Sequence, residues 1–425
     1  MPSHLISNSL STAAGKPSDV VLHSSASAAD IPAEVVSLSA AAPSSPSSPS
    51  SSASRLSEMW SYLWIPFLIS LSKEFGPAKA QPESILLPSQ LNRDSPPRCP
   101  ASDPKLNYRP VIGIVSHPGD GASGRLSNAS SASYIAASYV KFVESAGARV
   151  IPIIYNEPPE IIFQKLNLVN GVLFTGGWAK TGPYYEIVER IFKKVLERND
   201  AGEYFPLYAI CLGFEILTMI ISKDNKILES FSASDMASTL QFTQNVNIEG
   251  TVFQRFPPDL LRKLSTDCLI MQNHKYGISP ERFQENRDLC QFFKILTTSA
   301  DEDNKVYVST VHAHNYPVTA FQWHPEFQIP SESFSLHCAS VTGYSLSIVT
   351  KNAFEWGLKQ IPHSEDAIHV TQHVANFLVS EARKSLNRPP LQKVLDNLIY
   401  NYSPTYCGKA GKGYDEVYIF TRSSL

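Results

Sequence analysis

Between residues 110 and 222, short apolar runs alternate with stretches of helical periodicity, and few folds accept that pattern. Val111-Ile112-Gly113-Ile114-Val115, Val150-Ile151-Pro152-Ile153-Ile154, Gly171-Val172-Leu173-Phe174-Thr175 and Leu207-Tyr208-Ala209-Ile210 read as four β-strands. Residues 131–146, 184–198 and 212–221 carry helical spacing. Strands apolar on both faces and joined by crossover helices form a parallel sheet covered on each side. From residue 240 onward the pattern predicts strands following one another without helices. Phe292–Thr298 and Val306–Val311 flank the turn signal Asp301-Glu302-Asp303-Asn304, and Val318–Trp323 adds another strand. A last long helix is predicted over 365–385. The fold class is α/β: a doubly wound, mostly parallel sheet flanked by helices, in one domain over 109–425.

The 425 residues exceed what that domain needs, and the excess lies at the N-terminus. Residues 1–58 hold 19 Ser and 10 Ala with no aromatic residue, so they cannot bury enough apolar surface to offset the entropy of ordering. They read as a disordered extension. From Trp60 to Ser72 runs an apolar stretch, followed by Ala78-Lys79-Ala80, the form of a secretory signal over 59–80. It is too short to span a membrane, which takes about 20 apolar residues. A chain starting at Met59 would place that signal at its N-terminus; residues 81–108 then form a linker. Lys+Arg total 36 against Asp+Glu 39, so no basic field is available to bind nucleic acid. Six scattered cysteines suit neither a disulfide scaffold nor a zinc ribbon.

Cys211 ends the fourth strand and precedes a helix. Its neighbours two before and two after, Ala209 and Gly213, are small, as a tight strand-to-helix turn carrying a nucleophile requires. A helix N-terminus there favours an anionic sulfur and aims backbone N–H groups at a developing oxyanion. A thiolate needs a base, and Gln322-Trp323-His324-Pro325-Glu326 ends a later strand. A carboxylate two residues past the imidazole lets Glu326 fix the tautomer of His324 while His324 faces the thiol. At the end of the third strand, Gly176 and Gly177 let the backbone approach a substrate closely. Each motif alone also fits an inert cysteine, a structural histidine or a plain turn; together they specify a thiol hydrolase.

CLGFE at 211–215 and FQWHPE at 321–326, with RPVIGIVSHPGDG at 109–121, YIAASYVKFVESAGARVIPI at 134–153, LFTGGW at 173–178, MQNHKYGIS at 271–279 and LIYNYSPTY at 398–406, resemble the plant-type folate γ-glutamyl hydrolases. These are peptidases within the class I glutamine amidotransferase-like superfamily, whose fold is flavodoxin-like. The resemblance runs over nearly all of 99–425. It implies a secreted or vacuolar, homodimeric enzyme that trims γ-linked glutamates from folylpolyglutamates without a metal or organic cofactor. It matches Cys211 to the nucleophile, His324 to the catalytic histidine and His274 to a histidine near the substrate. The oxyanion is then expected at the N–H groups of Gly177 and Leu212. A cationic contact for the substrate carboxylates is also expected, at a residue the motifs do not name. Asn128-Ala129-Ser130 and Asn401-Tyr402-Ser403 are glycosylation sequons that matter if the signal operates.

Residues 327–350 depart from the relatives' pattern. They interpose 24 residues, with six Ser and one charge, between Glu326 and a segment that elsewhere follows it directly. The insertion leaves room for a form that binds folylpolyglutamate without cleaving it, and a glutaminase-type amidotransferase subunit is the alternative within enzymes. Gly119–Gly124 fits G-x-G-x-x-G, but the helix opens too late and the acid at the end of the next strand, Glu157, lies too far on for a dinucleotide site. His369 and His373, with His363 nearby, lack the acid of a zinc motif. Lys409–Gly413 lacks the rest of a phosphate loop.

Overall fold

The computed structural model describes residues 101–326, 355, 358 and 361–421. The Ser/Ala-rich extension, the signal-like segment, most of the linker and the insertion at 327–350 lie outside the described residues. In chain order the elements are β1 (Val111–Val115), β2 (His117–Pro118), β3 (Ser133–Ala136), α1 (Ala137–Ser145), β4 (Arg149–Ile153), α2 (Pro159–Leu166), β5 (Gly171–Phe174), α3 (Pro183–Asp200), β6 (Leu207–Ile210) and α4 (Leu212–Ser222). There follow β7 (Glu229–Ser238), β8 (Gln241–Phe242), α5 (Pro258–Thr266), β9 (Ile270–Gly277), α6 (Pro280–Glu285), α7 (Arg287–Phe292), β10 (Phe293–Ala300), β11 (Val306–Ala313) and β12 (Val318–Phe321). The C-terminal part adds α8 (Glu365–Ala382), α9 (Leu391–Leu395), β13 (Thr405–Tyr406) and β14 (Glu416–Phe420).

The main sheet runs β4-β1-β5-β6-β12-β11-β10-β8. Its first five strands are parallel and the rest antiparallel, so the α/β class with a mostly parallel sheet is observed. Among the parallel strands the order is second, first, third, fourth, fifth, the doubly wound arrangement in which ligands sit beyond the strands' C-terminal ends. Side-chain alternation divides the core. Val111, Val115, Val172, Phe174, Leu207 and Ala209 pack toward α2, α3 and α4, while Ile112, Ile114, Leu173, Tyr208 and Ile210 pack toward α1, α5 and α8. Each strand is short because it is buried on both faces, and Gly or Pro bounds several of them.

Two sequence expectations need correction. Residues 131–146 are not one helix: Ser133–Ala136 is β3, buried throughout, paired antiparallel with β14 and β2. The helix starts at Ala137. A strand partner nearly 300 residues away overrides the local helical spacing. Nor is the chain beyond 240 free of helices: α5, α6 and α7 intervene, two of them opening on a proline that suits the first helical turn. The expected hairpin is present, with β10 and β11 antiparallel and Asp301 accepting from the N–H groups of Ser232, Asp303 and Lys305. Among the described residues no helix is long and apolar enough to cross a membrane.

Candidate active site

Cys211 is the first residue after β6 and caps α4. Its backbone sits at φ 50° and ψ −102°, a conformation costing roughly 1–3 kcal/mol for a residue with a Cβ. Two anchors hold it there. Its N–H donates to the Phe321 carbonyl of β12 (2.7 Å), and its carbonyl accepts from Glu215 N–H (3.0 Å). The small residues expected around it are needed: a Cβ at Gly213 would stand 2.9 Å from Phe174 Cβ and 3.3 Å from Ala209 Cβ. Cys211 is 4% exposed, and its sulfur lies 3.9 Å from the Asn273 carbonyl.

His324 follows β12, and its turn is pinned on three sides. Trp323 Nε1–H donates to Thr310 Oγ1 (3.0 Å), His324 N–H donates to the Met271 carbonyl (2.9 Å), and Thr371 Oγ1 of α8 donates to the Pro325 carbonyl (2.7 Å). His324 Nδ1 meets Glu326 Oε1 at 2.8 Å, in a pocket that leaves Glu326 without solvent contact. The other ring nitrogen is left for the thiol. Burial alone would lower the pKa of His324, but the charges and hydrogen bonds of Cys211 and Glu326 outweigh it and raise the pKa. His324 therefore stands between Cys211 and Glu326 in an environment that favours its protonated form.

Gly176 lies where this line meets β5. A Cβ there would fall 2.9 Å from His324 Cε1, 2.9 Å from Tyr139 Oη and 3.5 Å from Cys211 Cβ. Its N–H donates to the Tyr139 hydroxyl (2.7 Å), so that N–H is not open to a substrate. Gly177, at φ 150°, is packed so closely on His117 that any Cβ would overlap the imidazole. The His117 Nδ1–H donates to the Pro118 carbonyl (2.9 Å), leaving Nε2 to accept from Trp178 N–H (3.0 Å) and Ala179 N–H (3.1 Å). Burial lowers the pKa of His117 to about 4, which keeps it neutral and able to accept. Among the described residues, the N–H groups of Gly177 and Leu212 meet no protein acceptor. One lies on the clamped loop, the other on the first turn of α4.

His274, on β9, is buried and stacks edge-on against Tyr307 (4.7 Å). Its Nδ1–H donates to the Tyr276 carbonyl (3.0 Å), and burial lowers its pKa to about 3. Its Nε2 is buried without a partner.

Comparison with known proteins gives the family. The profile of the peptidase C26 family matches residues 110–326. γ-Glutamyl hydrolase 2 of Arabidopsis thaliana is 65% identical over 367 residues, covering 86% of this chain and 99% of that protein. The chain belongs to the peptidase C26 family of γ-glutamyl hydrolases. The γ-glutamyl hydrolases of Glycine max and Mus musculus are 54% and 35% identical, covering 85% and 73% of this chain and 98% and 90% of theirs.

Further residues, most of them inside the quoted motifs but not singled out there, shape this site. His117 and Tyr139 hold the Gly176–Ala179 loop from 61 and 37 residues away. The sequence signals for His117 are its place in the SHPGDG run and just past β1, beside the strand-order reversal. Glu215, one turn past Cys211, is buried, and Lys180 Nζ lies 2.8 Å from its Oε2. Burial raises the pKa of Glu215 to about 6 against the opposing pull of Lys180.

Of the two sequons, Asn128 is exposed and accepts from Ser130 N–H (3.0 Å), while exposed Asn401 donates to the Leu395 carbonyl (3.0 Å). The glycines of 119–124 make a packed turn: a Cβ at Gly121 would stand 2.9 Å from the Tyr134 ring, and one at Gly124 2.8 Å from the Ala410 carbonyl oxygen. Among the described residues no His, Cys, Asp and Glu cluster could hold a metal ion.

Proposed function

We propose that the enzyme cleaves the γ-glutamyl bonds of folylpolyglutamates through a thioester on Cys211. The observation that carries this reading is the strained Cys211 turn set against the His324–Glu326 pair. The thiolate adds to the γ-carbonyl carbon, and the oxyanion is received by the N–H groups of Gly177 and Leu212, each worth about 10²–10³ in rate. As the C–N bond breaks, the His324 imidazolium gives its proton to the departing α-amine. The neutral imidazole then takes a proton from water, whose oxygen adds to the thioester carbonyl. Collapse expels the thiolate and releases the γ-carboxylate, with Glu326 fixing the His324 ring throughout. His274, buried on β9 near the site, keeps the role of a residue near the substrate that the resemblance gives it.

Incubation with a polyglutamylated folate and, separately, with free glutamine tests the reading. Glutamate or short polyglutamate released from the folate by wild type, and lost in Cys211→Ala, supports it. Ammonia released from glutamine would instead mark an amidotransferase, and folate binding without turnover an inactive binder.

The insertion at 327–350 begins directly after Glu326, where a displacement of about 1 Å can cost about 100-fold in rate. Deleting it is expected to raise activity; equal activity with and without it would remove that expectation. A secretory route to the vacuole or extracellular space is supported by the signal-like segment, by disulfide-bonded Cys268 and by the exposed Asn128 and Asn401. A mass shift on deglycosylation of the plant-expressed protein tests it.

A further inference from the structure

A γ-glutamyl linkage differs from an ordinary peptide bond in one respect that a site can read: a free α-carboxylate on each side of the scissile amide. The acyl-side carboxylate hangs on the Cα of the residue whose γ-carbonyl is attacked. The leaving-side carboxylate sits one carbon from the departing nitrogen. We infer that Lys180 binds one of these flanking α-carboxylates and so makes the site selective for γ-linkage, an inference that rests on the function proposed above.

Three observations place Lys180 for this task. It is three residues past Gly177, and the intervening Trp178 and Ala179 are clamped by His117 Nε2, so its position relative to the oxyanion donors is held. Its ammonium lies 2.8 Å from Glu215, whose N–H donates to the Cys211 carbonyl, which ties the cation to the first turn of the nucleophile's helix. Finally, the ammonium stands 4.3 Å from the centre of the Tyr276 ring, while the Lys180 side chain is only 24% exposed. A lysine without a task would extend into water.

The donor count leaves room for a ligand. An ammonium has three N–H donors. The contact with Glu215 is an ion pair at 2.8 Å and the Tyr276 ring covers a second side, so the ammonium keeps donor capacity for a ligand. Tyr276, 46% exposed and in contact with the ammonium, would exclude water from one side of a bound carboxylate. His274 cannot serve instead: with Nδ1–H committed to the Tyr276 carbonyl, its Nε2 accepts and would repel an anion. A buried ion pair does little for net stability compared with apolar packing, so neutralising Glu215 is a poor sole reason for Lys180.

The test uses the purified full-length enzyme, a pteroyl-γ-glutamyl-γ-glutamate substrate, and two analogues in which either the acyl-side or the leaving-side α-carboxylate is a carboxamide. Wild type is compared with Lys180→Met, Lys180→Arg and the double variant Lys180→Met with Glu215→Gln. Lys180→Met is expected to raise KM for the parent about tenfold to a hundredfold with kcat changed only a few-fold. It should have little further effect on the analogue lacking the carboxylate that Lys180 holds, which identifies the side. Lys180→Arg should recover part of the loss, and the double variant, whose pair is neutral again, should not. Equal loss on the parent and both analogues, or recovery in the double variant, would show that Lys180 only neutralises Glu215. If wild type fails to cleave the parent, the proposed function itself is overturned.

Discussion

The backbone at Cys211 carries a cost that its side chain alone justifies. Glycine accepts φ 50° without penalty, so Cys211→Gly is expected to melt higher than Cys211→Ala by the strain that alanine retains, about 1 kcal/mol or ~2 °C in Tm for a domain of this size, both variants being inactive. Glu326 acts on the neighbouring ring. Because its charge helps hold a proton on His324, Glu326→Gln should lower the His324 pKa and move the alkaline limb of kcat/KM to lower pH, with kcat down about tenfold or more. An unshifted limb in a pH-rate profile would count against that role. Cys211, His324 and Glu326 could be read in the chain because each signal is local: small residues two positions either side of a cysteine, an acid two positions past a histidine. Lys180, Tyr139 and His117 could not. Their partners are Glu215, Gly176, and the Trp178–Ala179 backbone, and nothing in the residues adjoining them marks those meetings.

Between elements, tight approach replaces side-chain bulk. Helix α4 packs so closely on β5 that Gly213 faces Phe174 Cβ at 2.9 Å and the Phe174 carbonyl oxygen at 3.0 Å, measured from where its Cβ would be. Backbone cannot step aside cheaply, so Gly213→Ala should cost about 1–3 kcal/mol and lower activity by tilting the turn that carries Cys211; a thermal melt beside a rate assay checks both. The parallel strands were legible because burial on both faces leaves a plain apolar run. The boundary of β3 and α1 was not, because Ser133-Tyr134-Ile135-Ala136 takes its conformation from β14, which local spacing cannot reveal. Helices α6 and α7 are six residues each, too short for periodicity to show, and their caps, Ser279 and Asn286, are the better signal.

Across the whole molecule, buried neutral histidines set the response to acid. The pKa values of His117 and His312 are lowered to about 4 and that of His274 to about 3, each chiefly by burial. Unfolded, each would bind its proton near pH 6.5, so between about 6.5 and 4 the unfolded chain binds more protons and stability falls as pH falls. Glu215, raised to about 6, works the other way over part of that range, but it stands alone against these histidines and His363, which burial also lowers to about 4. Tm is expected to drop between pH 7 and pH 4, and His117→Gln, which keeps an acceptor for the loop but does not titrate, should flatten the slope. The same Cys211 N–H that donates to Phe321 has a consequence for how the enzyme is born. β6 is made early on the ribosome, yet its partner β12 emerges much later, after the whole antiparallel half of the sheet. Until β12 slots in, the elbow lacks one of its two backbone anchors and no imidazole stands beside the sulfur. Through most of its synthesis the nascent chain therefore carries Cys211 without its catalytic partner, and on refolding the return of activity should coincide with the final kinetic phase.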